Sequence, residues 1–253
     1  MKPAKSLLAT VLACGMALLL PAAAGAQQPQ TRAQQPQTGA QQPQADAQHS
    51  MASHSMDMNA NRSKRLELHD AMRKLWEDHV TYTRLFIVSD AGNLPDKDAT
   101  TKRLLKNQED LGNAIKPYFG NDAGTKLTGL LRDHILIAAK IVDAAKVNDK
   151  AKVDAATRQW FANADDIAAF LSQANPESWP ISATKPMMHD HLNLTLQEAT
   201  AQIKGQFADA IAAYDKIVEQ AMMMADTLSS GIIKRSPDQF GERQARAPQM
   251  PPR

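Results

Sequence analysis

Cysteine is nearly absent from this sequence, in which Cys14 is the single one among 253 residues. A chain cleaved beyond that position would contain no disulfide and no thiolate ligand for a metal. The common nucleotide and catalytic motifs are absent too, including GxxxxGK[ST], a strand-linked GxGxxG, GxSxG, HExxH and CxxC. No Glu-x-x-His pair occurs, which argues against a ferritin-type di-iron site. An enzyme is therefore the least favoured class, and no catalytic residue is predicted.

The N-terminus has the pattern of a secretory signal peptide. Two lysines precede an apolar run, Leu7–Leu20, that is too short to span a bilayer comfortably, and AGA at 24–26 fits the small-x-small cleavage rule. We therefore expect residues 1–26 to be removed and the protein to be secreted or periplasmic. Lipid anchoring at Cys14 is the lesser alternative, because cleavage there would leave an apolar stretch at the new N-terminus.

Neither sign of charge is in excess once the signal peptide is removed. The full chain has 29 basic and 27 acidic residues, and residues 1–26 contain two lysines and no acid, so 27 of each remain. A nucleic-acid partner is therefore not expected, and no second apolar run is long enough to span a membrane. The expected partner is a metal ion or another protein of the cell envelope, and the oligomeric state is left open.

Composition divides the mature chain into three parts. Residues 27–62 begin with AQQPQTR, AQQPQTG and AQQPQAD, which cannot bury a core, so a disordered tether is expected. Residues 236–253 hold four prolines and are expected to form a disordered tail. Residues 63–235 remain for one helical domain.

Hydrophobic periodicity predicts an all-α fold for that domain. Turn residues divide it into about six helices, which short loops would arrange as three hairpins of an antiparallel bundle. The predicted helices are 64–89, 100–117, 124–146, 150–173, 186–204 and 207–233. The last has the clearest apolar seam, which starts at Phe207 and Ile211 and ends at Ile232.

An Asp-His dipeptide recurs in the three odd-numbered helices, as LWEDHV, LLRDHI and MMHDHL. The residues four and three positions before each histidine are apolar, so each histidine lies on the buried face of its helix. These candidate metal ligands are His79, His134 and His191. Because the odd helices of such a bundle run parallel, the three imidazoles could share one level of the core.

The aspartates of these dipeptides have a different predicted role. Adjacent helix residues point about 100° apart, so an aspartate cannot share a metal with the next histidine but could orient a histidine of a neighbouring helix. The candidates are Asp78, Asp133 and Asp190. The even helices add a weaker echo, in which Asn107-x-x-Asp110 and Asn163-x-x-Asp166 follow the first two pairs at similar distances. In the last helix Asp226 matches the aspartate, but Met223 stands where an asparagine would be.

A second candidate metal site precedes the bundle, in the segment HSMASHSMDMN. Its imidazole and thioether groups belong to His49, Met51, His54, Met56 and Met58. Such ligands suit copper, and thioethers favour Cu(I). The segment shows no helical period, which fits a flexible piece of chain that captures or delivers an ion.

Two functions stay open at this point. The first is an exported bundle that binds a transition metal through its core histidines, with copper ahead of zinc and iron. The second is a non-enzymatic structural or interaction module of the envelope, whose Asp, His and Asn residues form a buried polar layer that fixes helix register.

Six segments together resemble a family of small exported all-helical bacterial proteins: LWEDHV, NQEDLGNAIKPYFG, LLRDHI, WFANADDIAAFL, MMHDHL and AYDKIVEQAMMMADTLSSGII. The resemblance covers about residues 65–235 and implies an exported helical protein, but it implies no activity. Some members carry the labels acetylglutamate kinase or glycosyltransferase. This chain lacks the glycine-rich nucleotide site and the α/β pattern that those activities require.

Overall fold

The computed structural model describes the backbone of residues 43–241 and the side chains of residues 58–241, which form six α-helices and no strand. The helices are α1 (Pro43–Ala91), α2 (Lys97–Phe119), α3 (Asn121–Lys146), α4 (Lys150–Ala174), α5 (Ile181–Ile203) and α6 (Phe207–Arg235). The predicted all-α class is confirmed. None of these helices has the length and hydropathy needed to cross a membrane. The predicted signal peptide lies outside the described residues, as do residues 27–42 and 242–253.

Helix α1 begins about twenty residues earlier than predicted. It starts at Pro43, so it includes the segment His49–Asn61, for which the sequence indicated no helical period. Neither glycine nor proline occurs between Pro43 and Gly92, so no residue of the kind that breaks helices interrupts it. The difference arises because a helix that is polar on every side shows no apolar periodicity.

Helix α5 also begins early, at Ile181, which leaves Pro186 inside the helix rather than at its start. The additional turn is anchored by the buried Thr184, whose hydroxyl donates to the carbonyl oxygens of Pro180 and Ala168. A proline this close to a helix start removes only one backbone hydrogen bond, so the helix tolerates it.

Helices α3 and α4 form one hairpin and α5 and α6 another, and neighbouring hairpins pack through α2 with α3 and α4 with α5. Helix α1 packs on α2, where Asn107 and Arg103 donate to the Leu75 carbonyl and to Asp78. Helices α2 and α3 approach so closely that a Cβ atom on Gly112 would collide with Thr128 and with the Gly124 carbonyl. Helix α1 also contacts α6, where Arg73 donates two hydrogen bonds of 2.7 and 2.6 Å to Asp226. These contacts agree with the predicted bundle of three hairpins.

The buried apolar residues form a large cluster and a small one. The small cluster gathers residues from the C-terminal half of α1 and from α2, α3 and α5: Phe86, Ile87, Leu104, Ile135, Val142 and Ala199. The large cluster includes Trp76, Trp160 and the buried apolar residues of α6 from Ile217 to Ile232. The histidine positions of the Asp-His pairs lie where the two clusters meet, because residues of both line the same cavity.

Two sequence expectations near α6 differ from the structure. Phe207 and Ile211 are 59% and 51% exposed, so the buried seam does not start with them. Small residues, Ala210 and Ala213, form the buried face there instead. Beyond the helix, Phe240 is buried and its ring stacks on Tyr118 at 5.9 Å, so the ordered chain continues past residue 235 to a short 3-10 helix, Pro237–Phe240.

Candidate functional site

Three buried histidines from three helices line one small cavity in the core. His79 on α1, His134 on α3 and His191 on α5 are each at most 4% exposed. All three contribute to the wall of a cavity of about 30 Å³. That volume holds one ion or about two water molecules. The periodicity argument therefore put each of these histidines on the correct face of its helix.

The Nδ1 atom of every one of these imidazoles is paired with a side-chain amide on the next helix. His134 Nδ1 lies 2.9 Å from Asn163 Oδ1, and His191 Nδ1 lies 3.1 Å from Gln220 Oε1. His79 Nδ1 lies 3.3 Å from Gln108 Nε2. In all three hairpins the amide residue follows the histidine by 29 positions. The repeat of the hairpin is therefore also a repeat of one hydrogen-bonded pair.

The same amides tie the helices together through the backbone. Asn163 Nδ2 donates to the Leu130 carbonyl and Gln220 Nε2 donates to the Met187 carbonyl, each at 3.1 Å. Both carbonyls belong to the residue four positions before the histidine, so one side chain holds the ring and the backbone of the facing helix. We call this arrangement the amide clip.

In the first hairpin two adjacent residues divide the clip between them. Asn107 Nδ2 donates to the Leu75 carbonyl at 2.9 Å, while Gln108 contacts the His79 ring. Both amide residues are fully buried. The two roles fall on adjacent residues because the separation between the carbonyl residue and its amide donor differs by one. It is 32 residues from Leu75 to Asn107, but 33 in the other two hairpins.

The clip leaves one ring nitrogen available. An acceptor oxygen at Nδ1 favours the tautomer with the proton on Nδ1, so Nε2 of His134 and of His191 keeps its lone pair. Among the described hydrogen bonds, Nε2 of His134 and of His191 has no partner in the protein. This arrangement of an oriented imidazole with a free second nitrogen is the one that metal-binding histidines adopt. His79 differs, because the Gln108 amide nitrogen donates to its Nδ1 and the proton of the ring therefore lies on Nε2.

Burial keeps these imidazoles neutral. Desolvation lowers the pKa of His79 to about 3, and the neighbouring His191 and His134 lower it further. Burial likewise lowers the pKa of His134 to about 3 and also lowers that of His191. A metal ion therefore meets no competing proton on these rings at neutral or mildly acidic pH.

The rest of the cavity wall is mostly apolar. Trp160 packs on His134 with ring centroids 5.0 Å apart, and the remaining wall is aliphatic or aromatic apart from two threonines. Thr83 and Thr195 stand four residues after His79 and His191 and donate to the carbonyls of those histidines at 2.7 and 2.9 Å. Among residues 58–241, no carboxylate lines this cavity.

The three rings do not meet at the distances of a three-ligand metal site in this structure. The centroids of His79 and His191 are 5.9 Å apart. Within residues 58–241, no group of three or more His, Asp or Glu side chains meets the distances of a metal site. The three imidazoles thus share a cavity, and His134 would have to approach the other two to share an ion with both.

The predicted role of the aspartates is wrong in this structure, because side-chain amides orient the histidines instead. Asp78 accepts hydrogen bonds from Lys74 and Arg103. Asp133 and Asp190 are exposed. The angle of about 100° between adjacent helix residues turns all three away from the face that carries the histidine.

The candidate ligands before the bundle are only in part described. The backbone of the segment belongs to α1, but the side chains of His49, Met51, His54 and Met56 lie outside the described residues. Met58 is 61% exposed. Metal capture by this segment stays a prediction.

Two residues of the site were missed from the sequence, Gln108 and Gln220. If the hairpins are aligned on Asp110, Asp166 and Asp226, the residue of the third hairpin that corresponds to the asparagines is Met223, which is 62% exposed. Alignment on the histidines would have found both glutamines, because a separation of 29 residues recurs in each hairpin.

Two buried acids lie elsewhere in the core, and both are paired with cations. Glu198 accepts a 2.8 Å hydrogen bond from Arg84, and burial raises the pKa of Glu198 to about 7 against the opposing effect of that guanidinium. Asp90 contacts Lys97 at 2.7 Å and Lys146 at 2.8 Å, and these ammonium groups hold the pKa of Asp90 below its usual value. Neither acid lines the histidine cavity.

Comparison with protein-family models, curated proteins and solved structures gave no match to this chain. The resemblance to exported helical proteins therefore stays a prediction.

Proposed function

We propose that this protein is an exported helical protein that binds a transition metal through His79, His134 and His191, with copper ahead of zinc and iron. The observation that carries the proposal is the shared cavity, in which three buried imidazoles have Nδ1 held by an amide, and Nε2 of His134 and of His191 keeps a lone pair. An oriented imidazole with a lone pair on its second nitrogen is the form that binds a metal. His79 would reach the same form once the Gln108 amide turns its oxygen toward Nδ1.

Two of the three rings already have a spacing that suits a common ion. Imidazoles bound through nitrogen at about 2 Å from one metal have ring centroids roughly 5–6 Å apart, and His79 and His191 are separated by 5.9 Å. Binding would then draw His134 inward. Because Asn163 on α4 holds the His134 ring on α3, the two helices would move together.

The His/Met segment has a separate place in this proposal. Its ligands, His49 to Met58, would capture or deliver the ion, whereas the buried histidines would retain it. The two parts can be tested independently in the full chain by replacing the histidines of this segment with Gln and its methionines with Leu, while the core histidines are kept.

Elemental analysis after purification without a polyhistidine tag tests the proposal directly. We expect about one copper, zinc or iron per chain in the wild type and in the variant with the substituted segment, and a loss of metal in His191→Gln. His189→Gln is the matched control, because His189 lies two residues away on α5, is partly exposed and contacts Asp165. Absence of metal from the wild type, even after addition of copper and zinc salts, would count against the proposal.

A second candidate is a structural or interaction module of the envelope, in which the amide clips fix helix register and need no ion. The specific observation in its favour is that the clips of the second and third hairpins are complete within the protein, and that no three ligands meet among residues 58–241. It predicts that His134→Ala destabilises the metal-free protein by about 1–3 kcal/mol through the orphaned Asn163 amide. Under this candidate, the substitution leaves the metal content unchanged; a loss of metal with unchanged stability would contradict it.

A further inference from the structure

We infer that the histidine cavity selects Cu(I), a soft monovalent ion, over divalent ions. This inference rests on the proposed function and specifies the charge of the bound ion. The argument uses the charge of the wall, the room in the cavity and the spacing of two rings.

The wall of the cavity supplies no negative charge. Apart from the three imidazoles and the hydroxyls of Thr83 and Thr195, the described wall is apolar. The buried Glu198 is already paired with Arg84. The cost of moving an ion from water into such surroundings rises with the square of its charge, so it is about four times greater for a divalent ion. The described wall has no carboxylate to offset that larger cost, so it disfavours a divalent ion relative to a monovalent one.

The cavity also has little room for additional ligands. Its volume of about 30 Å³ holds the ion and at most about one water molecule. Zinc bound by three histidines needs all three rings and a water as its fourth ligand, which would fill the remaining room, and larger divalent ions keep several waters, which the cavity does not hold. Cu(I) is stable with two or three ligands and needs no water.

The spacing of His79 and His191 agrees with low coordination. For a metal–nitrogen distance of about 2 Å, the ring centroids would lie about 5 Å apart at a tetrahedral angle, about 5.5 Å at a trigonal angle and about 6 Å in a linear arrangement. The observed separation is 5.9 Å, between the last two. The spacing of these two rings therefore suits a linear ion, or a trigonal ion once His134 approaches. For His79 to bind through Nε2, its proton moves to Nδ1 and the Gln108 amide turns its oxygen toward that nitrogen.

Competition titrations on the full chain test this inference. The protein would carry the substituted His/Met segment, so that only the core histidines are measured. Under anaerobic conditions Cu(I) is titrated against bicinchoninate, and Zn(II) is titrated against a chromogenic chelator at the same pH. We expect one Cu(I) per chain, bound at least about 100-fold more tightly than Zn(II), and a loss of at least about tenfold in Cu(I) affinity in His134→Gln.

Glutamine at position 134 keeps a polar group for Asn163, and circular dichroism verifies the fold of each variant. His189→Gln should bind Cu(I) like the wild type. X-ray absorption of the wild-type complex needs no variant and should show two or three nitrogen ligands at about 2 Å.

Each result decides between the two proposals. Zn(II) bound by the core histidines as tightly as Cu(I), or a four-coordinate copper spectrum, would overturn the monovalent ion and leave the metal site standing. Failure of both ions to bind would overturn the proposed function, and the present inference with it.

Discussion

Two cavities of the same size, about 30 Å³ each, lie in the core of this bundle, and they differ in chemistry. One is lined by three imidazoles, each held by an amide. The other is lined by aliphatic, methionine and aromatic side chains, among them Met72, Ile167 and Ile232. The comparison teaches that the bundle itself does not require polar groups in order to pack. The three histidines and their amide partners form a local polar layer. Its contribution to the free energy of unfolding should depend on pH, whereas that of the apolar cavity should not.

Acid should separate the two regions most strongly. Unfolded histidine takes up a proton near its ordinary pKa of 6.5, whereas His79 and His134 have pKa values of about 3 when folded. The unfolded state therefore binds more protons in this window, and stability present above pH 6.5 is lost as the pH falls. The two histidines should lower the free energy of unfolding by about 5 kcal/mol between pH 6.5 and 4.5.

Glu198 acts in the opposite direction. The pKa of Glu198 rises from its ordinary value of 4.5 to about 7 in the folded protein, so this group stabilises the fold as the pH falls. It should offset about half of the free energy lost through the two histidines. The effect of one histidine is isolated by His134→Gln, which should reduce the mean pH slope between pH 7 and 5 by about 1 kcal/mol per pH unit. Urea titrations between pH 7 and 5 measure the slopes, with His189→Gln as the control; equal slopes for wild type and His134→Gln would contradict the neutral buried histidine.

Enlarging the apolar cavity should have the next largest effect, and it should not depend on pH. Ile232 is fully buried and lines that cavity. Ile232→Ala removes buried methyl groups and widens an existing void, so we expect a loss of about 2–5 kcal/mol in unfolding free energy. The measurement is urea unfolding at pH 7 and pH 5. A loss that changed with pH would indicate that the two cavities are coupled.

Removing one amide clip should have an intermediate effect. Gln220→Met keeps the length of the side chain but leaves the Nδ1–H group of His191 without an acceptor, which should cost about 1–3 kcal/mol. Met223→Ala lies three residues along the same helix at an exposed position, and it should change stability by less than about 0.5 kcal/mol. Equal effects of the two substitutions would mean that the clip adds nothing to helix register.

The smallest effect is expected at the start of α6. Phe207 is 59% exposed, although the apolar pattern included it in the buried seam. Phe207→Ser should therefore change the free energy of unfolding by no more than about 0.5 kcal/mol. Thermal unfolding followed by circular dichroism is sufficient. A loss of stability comparable to that of Ile232→Ala would show that Phe207 belongs to the core.

The sequence by itself determined the helices and the buried faces of the histidine-bearing ones. Apolar neighbours at fixed offsets put His79, His134 and His191 inward, because side-chain direction in a helix follows from its 3.6-residue repeat. Breakers located most loops within a few residues. The start of α1 was misplaced, since a helix that is polar all round leaves no periodic signal.

Only the tertiary structure decided which groups meet. The pairing of His191 with Gln220 and of His134 with Asn163 depends on the axial register between two helices, and loop length and packing set that register. The same holds for the exclusion of Asp133 and Asp190 from the site and for the single cavity that the three imidazoles share. Periodicity describes one helix at a time, whereas a site made by three helices depends on the distances between them.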